Sequence, residues 1–540
     1  MTVVSGSMEP QALVGIPQIA EIANVSRSAV SNWRKRHEDF PAPKVQAPSG
    51  ALFNLREIED WLIEHGKISR RAPASARLWG LSDAARGQWT LNQYVTFAIG
   101  CLVYMEVCSR AQAAQLEAAD LPCPRIPRGA GWSDVLKHGP HGFLSALSEA
   151  AQGIESENPY LWGLLVPAFE VRPFHDADST DVGRLAYDVA ITLDAATNEV
   201  STRYSLFEGL VDLEAHDRHS GEHSTPGDVA LLVARLVDFS GGAILDPAVG
   251  SGGLLQQAAF LQKRAVGDRS LFGIDINQDA WRRARSRFYL YGFEADIRNE
   301  NALSAPPDSL PLADAVVADP PYGLQNWGYA ELYVDPWWRF GSVPPNSADY
   351  AWLQLACLHL KPAGRAAVVL GTGSLTRSGR EGAIRARMLE AGVVEAIIVL
   401  PARLQLNTSI PLAVWLLRAP GVRIRHEQVL LVDASDLGTP GRSRFSLPPS
   451  SIDRIVDLVG RWRDTGKIAD DDDEIGVTAG LDDIFAADGN LNPARYRSQP
   501  AIDLTEVRDT ARALRRSLRQ SSAAAAEARD ELLTYLENQQ

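Results

Sequence analysis

Short apolar runs alternate with amphipathic stretches of helical length through the middle of this chain. Strands that alternate with helices form βαβ units, whose strands lie parallel in one sheet that the helices cover. The pattern therefore predicts an α/β domain with a mostly parallel sheet, which we bound at residues 154–435. The predicted strands are Ala243–Asp246, Leu271–Asp275, Ala313–Ala318, Ala366–Leu370, Val394–Leu400, Ala413–Arg418 and Gln428–Asp433.

The rest of the chain divides by composition. Its 540 residues are 45% hydrophobic and 22% charged, which excludes a disordered or collagen-like protein. We predict a compact unit at residues 1–68 and a linker rich in Arg, Ala, Pro and Ser at 69–77. A helical domain follows at 78–153, and a C-terminal region occupies 436–540.

Charge, apolar run length and cysteine spacing limit the classes of protein that remain. A net charge of −14 argues against a surface that coats nucleic acid throughout, although a local basic patch or a basic partner could still bind it. The longest apolar run, Phe97–Val107, is too short to span a membrane and is interrupted by Gly100 and Glu106. The four Cys residues lack the spacing of a disulfide framework or a metal site, and no signal-peptide pattern opens the chain. We therefore expect a cytoplasmic protein with no membrane contact and no bound metal.

The first unit carries a helix, a turn at Asn24–Val25 and a second helix that Ser26 caps. The residues predicted to face inward are Ile19, Ala20, Ala23, Val25, Val30 and Trp33. Those predicted to face outward from the second helix are Arg27, Ser28, Ser31, Asn32, Arg34 and Lys35. This pattern resembles the winged helix-turn-helix units of excisionase-like and MerR-like proteins, which implies that the outward residues bind the major groove of DNA. A helical module that packs against another protein is the alternative.

A glycine-rich turn separates a predicted strand from a predicted helix within Ala243–Leu255, which reads AILDPAVGSGGLL. Its glycines permit a tight turn and a close approach of the backbone to a ligand. The next strand ends in Asp275, near the spacing at which a carboxylate binds ribose hydroxyls. A nicotinamide site would carry G-x-G-x-x-G, which is not the pattern here. An ordinary βα turn with a solvated Asp is the structural alternative.

The segment Asp319–Tyr322, which reads DPPY, follows another apolar strand at its carboxyl end. In an open α/β sheet, ligands bind at that edge. The prolines lack N–H donors, so their carbonyls can face inward as acceptors. An oxygen of Asp319 and a proline carbonyl can together accept both hydrogens of an exocyclic amine, and Tyr322 offers a flat face to a base taken out of the duplex stack. A purely structural turn is the alternative.

With these motifs in this order, residues 80–500 resemble the adenine-N6 DNA methyltransferases, specifically the methylation (M) subunits of type I restriction-modification systems. His223–Pro226 resembles the family's T-P segment, and Asp246–Gly253 resembles its D-P-A-C-G-S-G-G loop with Val249 in place of Cys. Asn301 stands where the family has an acidic or amide residue near the cofactor adenine. Two later segments, Asn407–Pro411 and Leu491–Tyr496, also match the family.

The resemblance implies a Rossmann-like fold and transfer of a methyl group from S-adenosylmethionine to N6 of adenine in double-stranded DNA, which we favour over N4 of cytosine. The implied catalytic residues are Asp319, Pro320, Pro321 and Tyr322. The implied cofactor-binding residues are Thr225, Pro226, Asp246, Pro247, Ala248, Gly250, Ser251, Gly252, Gly253, Asp275 and Asn301. This chain departs from the family, which usually has Asn and Phe at the positions of Asp319 and Tyr322.

The C-terminal region ends in a predicted helix at 502–537 with apolar and small residues at 3,4 spacing. The seam could pair with another chain or fold back on its own domain. The resemblance implies a specificity subunit as the partner, with a nuclease subunit as a further candidate. For Trp327, Trp337 and Trp338, which follow the DPPY segment, we favour a packing role over lining a base pocket.

Two other functions stay open from the sequence. One is a catalytically silent methyltransferase fold that regulates by binding DNA, although the intact Asp246, Gly250, Asp275 and DPPY segment argue against it. The other is a protein-glutamine or RNA methyltransferase, since related loops hold other planar amides and amines. The helix-turn-helix pattern and the tail favour DNA over these substrates.

Overall fold

The computed structural model describes most of the chain between residues 13 and 497 and a few residues of the tail. The described residues are 13–16, 19–20, 23, 25, 27–37, 39–43, 45–47, 50–65, 67, 74–85, 88–113, 123–170, 179–197, 200–215, 225–239, 241–261, 270–305, 307–328, 332, 338–405, 409–421, 427–441, 444–469, 472–497, 514–516, 518 and 520–522.

The described residues of the N-terminal unit include two whole helices and a small antiparallel sheet of order β1-β3-β2, and residues 16, 19 and 20 are also helical. Its elements are β1 (Leu13–Gly15), α1 (Arg27–Arg36), β2 (Val45–Ala47), β3 (Gly50–Asn54) and α2 (Leu55–Glu64). Ile19, Ala20, Ala23 and Val30 are buried, as predicted, while Val25 and Trp33 are half-buried against the same core. Phe53 and Trp61 complete this core from the strand and helix that follow.

A layer of helices comes next. Its members are α3 (Ala74–Ala85), α4 (Leu91–Ala113), α5 (Trp132–Leu136), α6 (Gly139–Glu157), α7 (Val166–Phe169), α8 (Ser179–Ala196) and α9 (Val200–Ala215). Their apolar side chains form one continuous buried cluster. The boundary predicted at residue 153 therefore needs correction, because it falls inside α6 and the helical core continues to α9. The predicted linker is also shorter, since α3 begins at Ala74.

Helix α4 is the centre of this layer. Within the part of the chain that the structure describes, it is the one helix long and apolar enough to cross a membrane, and most of it is buried inside the protein. Its Glu106 is buried as an ion pair with Arg110 and Arg203. A buried charge that is paired in this way is typical of a protein core.

Within the part of the chain that the structure describes, nine further strands form one sheet of order β14-β11-β9-β10-β8-β7-β4-β5-β6. The strands are β4 (Ala243–Asp246), β5 (Ser270–Asp275), β6 (Asp296–Asn299), β7 (Ala313–Ala318), β8 (Leu360–Gly371), β9 (Val394–Val399), β10 (Leu412–Arg418), β11 (Val429–Asp433) and β14 (Gly476–Ala479). β10 and β14 run antiparallel to their neighbours, and the other pairs are parallel. The predicted mostly parallel α/β fold is confirmed.

Within the described residues, seven helices accompany the sheet, together with a short hairpin of β12 (Thr439–Pro440) and β13 (Phe445–Ser446). The helices are α10 (Gly227–Leu236), α11 (Gly253–Leu261), α12 (Gln278–Tyr291), α13 (Asp349–Leu358), α14 (Gly379–Glu390), α15 (Pro449–Thr465) and α16 (Leu481–Ala486). α12 begins where the Asn277 side chain accepts two backbone N–H groups and ends at Gly292, whose φ is 72°. Both ends follow known capping rules.

The sheet order places a switch point beside β4. The chain passes from β4 to β5 on one side, while β7 pairs with β4 on the other side. In open α/β sheets, the crevice outside the carboxyl ends of the strands at such a point is where ligands bind. A ligand site is therefore expected at the carboxyl ends of β4, β5 and β7.

Residues 493–540 form a separate compact unit. It contains a short 3₁₀ helix at Pro493–Arg495, and the described residues 514–516, 518 and 520–522 are helical, as predicted. Of the predicted seam, Leu514 and Leu518 are exposed. Most other seam positions lie outside the described residues, so the pairing of this helix stays a prediction.

We expect a methyl group at Gly100 to destabilise the helical layer, although alanine is the better helix former. A Cβ built at Gly100 would lie 2.5 Å from the Cβ of Ala168, where α7 crosses α4. Such overpacking costs about 1–3 kcal/mol. The matched control is Gly209→Ala in α9, where nothing lies within 4 Å of the added Cβ and a gain of about 0.4–1 kcal/mol is expected. Unfolding midpoints of the two variants should shift in opposite directions, and a stabilised Gly100→Ala would contradict the close crossing.

Candidate active site

Three carboxylates meet at the switch point. Asp246 ends β4, Asp275 ends β5 and Asp319 directly follows β7. Burial raises the pKa of Asp246 well above its usual range; the Ala248 N–H lowers it, and the charges of Asp275 and Asp319 raise it further. Burial also raises the pKa of Asp275, against the N–H groups that bind it. A crevice of this charge favours a cationic ligand and disfavours phosphate.

The glycine-rich turn wraps around Asp275. Gly250 has a φ of 54° and Gly252 a φ of 84°, in the left-handed region that favours glycine. The Gly250 N–H donates to Oδ2 of Asp275 at 2.9 Å, and the Asn277 N–H donates to Oδ1 at 2.8 Å. A Cβ on Gly252 would also lie 3.0 Å from the ring of Phe288. The glycines are therefore needed both for the shape of the turn and for its contact with α12.

Arg287 of α12 binds the backbone of the same turn. Its Nε donates to the carbonyl of Ser251 at 2.8 Å, and its Nη1 donates to Glu208 at 2.6 Å and to Gln256 at 2.7 Å. Arg287 is buried, and its bond to Gln256 is buried with it, while the Glu208 side chain is half-exposed. Because Glu208 lies on α9, the turn is tied to the helical layer. Arg287 was not predicted from the sequence, since an Arg on an amphipathic helix normally indicates a solvated face.

The DPPY segment forms a hydrogen-bonded chain with a residue from a distant loop. The Tyr322 hydroxyl donates to Oδ1 of Asp319 and accepts from Nε2 of Gln405 at 2.6 Å. Burial, followed by the charge of Asp319, raises the pKa of Tyr322 above its usual range. The phenol thus stays protonated at neutral pH and remains a donor. Pro320 is buried and Pro321 is exposed.

An ion-pair network anchors the loop beyond the motif. The Gly323 N–H donates to Oδ1 of Asp349 at 3.1 Å, and Asp349 is fully buried. Arg377 pairs with both Asp349 and Glu381. Because a buried carboxylate without its partner is costly, this network fixes the loop strongly. Its members were not predicted, since they lie far apart in the sequence.

Trp327 and Trp338 pack the loop, in agreement with the favoured prediction. Both are buried, and their ring centroids lie 5.8 Å apart in a T-shaped contact. Trp327 donates to the carbonyl of Pro344 at 3.2 Å, and Trp338 donates to that of Leu332 at 2.6 Å. Trp337 lies outside the described residues.

The other predicted cofactor residues lie at three places, which are the start of α10, the turn after β4 and the segment after β6. Thr225 and Pro226 are half-buried at the start of α10, and Pro247, Ala248, Ser251 and Gly253 belong to the turn after β4. Asn301 follows β6, where its side chain accepts from the Leu303 N–H at 3.1 Å. Ile276, which was not predicted, is 70% exposed directly after Asp275. An aliphatic residue directly after a predicted strand-end acid is the sequence signal that could have found it.

The predicted DNA-binding residues are not part of this edge of the sheet. They share α1, where Arg27, Ser28, Asn32, Arg34 and Lys35 are exposed and Ser31 is half-buried. The guanidinium of Arg34 lies 5.6 Å from the ring centroid of Phe53, so this residue also covers the core. Their role in binding DNA stays a prediction.

One cluster in the described residues, formed by His37, Asp39 and His65, could hold a metal ion by its ligand types and spacing. Asp39 and His65 already bind each other and the neighbouring helix. Oδ2 of Asp39 accepts from Nε1 of Trp61 at 3.0 Å and lies 3.2 Å from Nε2 of His65, while Nδ1 of His65 contacts the Trp61 carbonyl at 2.9 Å. These contacts give the cluster a structural role without an ion.

The sheet order, the glycine turn and the strand-end acids define the Rossmann-like methyltransferase class. Within that class, a sequence model described as "N-6 DNA Methylase" matches residues 206–504, and the chain belongs to this family. The chain is 30% identical over 290 residues to the type I restriction enzyme HindI methylase subunit of Haemophilus influenzae, covering 52% of this chain and 65% of that protein. It is also 30% identical over 295 residues to the MjaIX methylase subunit of Methanocaldococcus jannaschii, covering 52% of this chain and 53% of that protein. The match thus spans about half to two thirds of these relatives.

Solved structures agree with the fold. The type I restriction-modification methyltransferase subunit from Streptococcus thermophilus superposes with a TM-score of 0.67 at 23% identity, covering 78% of this chain and 98% of that one. A chain from a study of complex assembly in a type I restriction-modification system gives a TM-score of 0.61 at 19% identity, covering 86% and 99%. At these identities, the likeness concerns the fold alone.

We expect Arg287→Met to loosen the glycine turn, because the carbonyl of Ser251 and the side chain of Gln256 both lose their donor. Hydrogen exchange of the amides at residues 250–253 should accelerate at least about tenfold, which corresponds to about 1.4 kcal/mol of local opening. Arg282→Met is the control, since Arg282 lies on the same helix and pairs locally with Asp279. Equal protection in the two variants would rule out the supporting role of Arg287.

Proposed function

We propose that this chain transfers a methyl group from S-adenosylmethionine to the exocyclic N6 of adenine in double-stranded DNA, as the modification subunit of a restriction-modification system. The observation that carries the proposal is the acidic crevice of Asp246 and Asp275 directly beside Asp319–Tyr322. In this arrangement, a crevice suited to a cationic cofactor lies directly beside groups that can accept the hydrogens of an amine. Membership of the N-6 DNA methylase family supports the same reaction.

The residues of the crevice fit this cofactor. Both oxygens of Asp275 accept one backbone N–H each, and because a carboxylate oxygen has two lone pairs, each can also accept from a ribose hydroxyl. The exposed side chain of Ile276 offers an apolar surface beside them for the adenine ring. Asp246 is a buried carboxylate that a cation would stabilise in its ionised form. When bound, the sulfonium supplies an electrophilic methyl group.

The DPPY segment would orient the target amine. One lone pair of Asp319 Oδ1 is used by the Tyr322 hydroxyl, and the carboxylate retains further acceptor capacity for an amine hydrogen. The Pro320 carbonyl would accept the second hydrogen. Acceptance of both hydrogens would hold the nitrogen lone pair toward the methyl group and stabilise the positive charge that develops as the N–C bond forms. The bond between that methyl carbon and the cofactor sulfur would break at the same time, with S-adenosylhomocysteine as the leaving group. The released proton then passes to Asp319 or to water.

The proposal includes partners and a location. One structural neighbour comes from a study of how a type I restriction-modification complex assembles, and on that basis we propose a specificity subunit and a nuclease subunit as partners in the cytoplasm. The exposed basic residues of α1 would add local DNA contacts. A net charge of −14 disfavours the approach of DNA phosphates overall, so a partner would provide much of the binding to DNA. The silent-regulator and protein or RNA methyltransferase alternatives are not favoured by the relatives found.

We expect Asp319→Ala to abolish methylation while leaving the cofactor site intact. In a host deleted for the chain and complemented with variants, methylation at the affected adenine motif should fall about 100-fold or more, because the main acceptor of the amine is lost. Asp319→Asn keeps one acceptor oxygen and should retain partial activity. The control is Asp453→Ala, a surface carboxylate paired with Arg235. Sequencing that detects N6-methyladenine gives the readout, and unchanged modification in Asp319→Ala would refute the enzymatic proposal.

We expect the preference for a cationic cofactor analogue to be lost on acidification. Burial raises the pKa of Asp246 and of Asp275, so both become neutral at a pH above the ordinary Asp value of about 3.9. As the pH falls through this range, affinity for sinefungin, which carries an amine in place of the sulfonium, should weaken relative to S-adenosylhomocysteine. Titration calorimetry measures both ligands. Asp246→Asn should flatten the pH dependence, and a constant ratio in the unaltered protein would contradict an acidic, ionisable crevice.

A further inference from the structure

Gln405 is a buried residue that no sequence motif singles out. It follows β9, whose carboxyl end lies at the same edge of the sheet as that of β7, because both strands run in the same direction. Its Nε2 lies 2.6 Å from the hydroxyl of Tyr322, 83 residues away in sequence. The hydroxyl in turn contacts Oδ1 of Asp319. These three side chains form one hydrogen-bonded chain.

The direction of the chain follows from its chemistry. A phenol has one proton, and an ionised carboxylate can only accept, so Tyr322 donates to Asp319 and must accept from its other neighbour. This fixes the Gln405 amide with its NH₂ group toward Tyr322. Within the described part of the chain, Oε1 of Gln405 is buried and has no hydrogen-bond partner. The contact between its NH₂ group and Tyr322 is therefore the polar contact that orients the Gln405 side chain.

Hydrogen bonds in such a chain strengthen each other. A donor that binds the phenol oxygen makes the phenol proton more acidic, and a more acidic proton binds a carboxylate more strongly. The Gln405 contact accordingly acts to lower the pKa of Tyr322, against the larger raising effects of burial and Asp319. The same contact stabilises Asp319 in the ionised form that accepts an amine.

We propose that Gln405 is a positioning residue of the methyl-transfer site, which acts through Tyr322 to orient Asp319 and to keep it ionised. The inference rests on the proposed function for its kinetic test.

The kinetic test compares Gln405→Leu in two backgrounds. In the otherwise unaltered chain, assayed with its partner subunits, the substitution should lower kcat about tenfold with a smaller change in KM and should move the acid limb of the pH profile to higher pH. In Tyr322→Phe, the same substitution should change kcat less than about twofold, since no hydroxyl remains to position. Equal losses in both backgrounds, or an unmoved acid limb, would overturn the proposal.

The pH readout must be assigned to Asp319 among the acids of the crevice. Asp246 and Asp275 are the neighbouring carboxylates, and Tyr322 is the titratable group in direct contact. The shift caused by Gln405→Leu should persist in Asp246→Asn and disappear in Asp319→Asn. A shift that persists in Asp319→Asn would assign it to another group and refute the proposed route. Melting temperature and sinefungin affinity should stay unchanged in Gln405→Leu, which excludes a general loss of structure.

A spectroscopic test needs no turnover. With 3-fluorotyrosine incorporated at position 322, the ¹⁹F resonance should shift in Gln405→Leu and should titrate with the ionisation of Asp319. If the resonance responds to Gln405 but the chain methylates no DNA, the proposed function fails and the hydrogen-bonded chain stands. If DNA is methylated and the resonance does not respond, the proposed role of Gln405 is refuted and the proposed function stands.

Discussion

The proximity of three carboxylates at the strand ends is the constraint on which the rest of the site depends. Burial opposes the ionisation of Asp246 most strongly, and the charges of Asp275 and Asp319 oppose it further. Backbone N–H groups offset part of this cost at Asp275 and Asp246, and the Tyr322 hydroxyl does so at Asp319. The left-handed turn at Gly250 contributes to this, because it brings an N–H group to Asp275.

The sequence predicted elements whose residues are buried and contiguous, and it missed contacts between distant residues. All seven predicted strands are present, because each is a largely apolar run whose residues are mostly buried in the sheet. β6 was missed because it is an edge strand in which only Ile297 is buried, and β14 is also an edge strand with two half-buried positions. The helical layer was placed too short, since α8 and α9 come after the predicted boundary but pack into the same core.

The candidate site shows the same division. Its strand-end acids and glycines form local motifs, and local spacing was enough to place them at one crevice. Arg287, Asp349 and Gln405 carry no such signal, because their partners are 36, 26 and 83 residues away along the chain. Each of them binds a motif residue or its neighbour through a hydrogen bond. These bonds hold the motif residues in place before a substrate binds. Such support depends on tertiary packing, which a local stretch of sequence does not encode.

The charge of the crevice also limits how a nucleic acid could use it. If DNA is the substrate, its phosphates would be repelled by Asp246, Asp275 and Asp319, so the part that enters the crevice would be a neutral base turned out of the duplex stack. The segment that would receive such a base is held rigidly by Asp349 and Arg377 on one side and by Gln405 on the other. Basic contacts to the backbone must then come from outside the crevice, for which the exposed cations of α1 are candidates on this chain. An acidic protein could act on DNA under this arrangement, because the proposed chemistry and the binding of phosphates would occupy different surfaces.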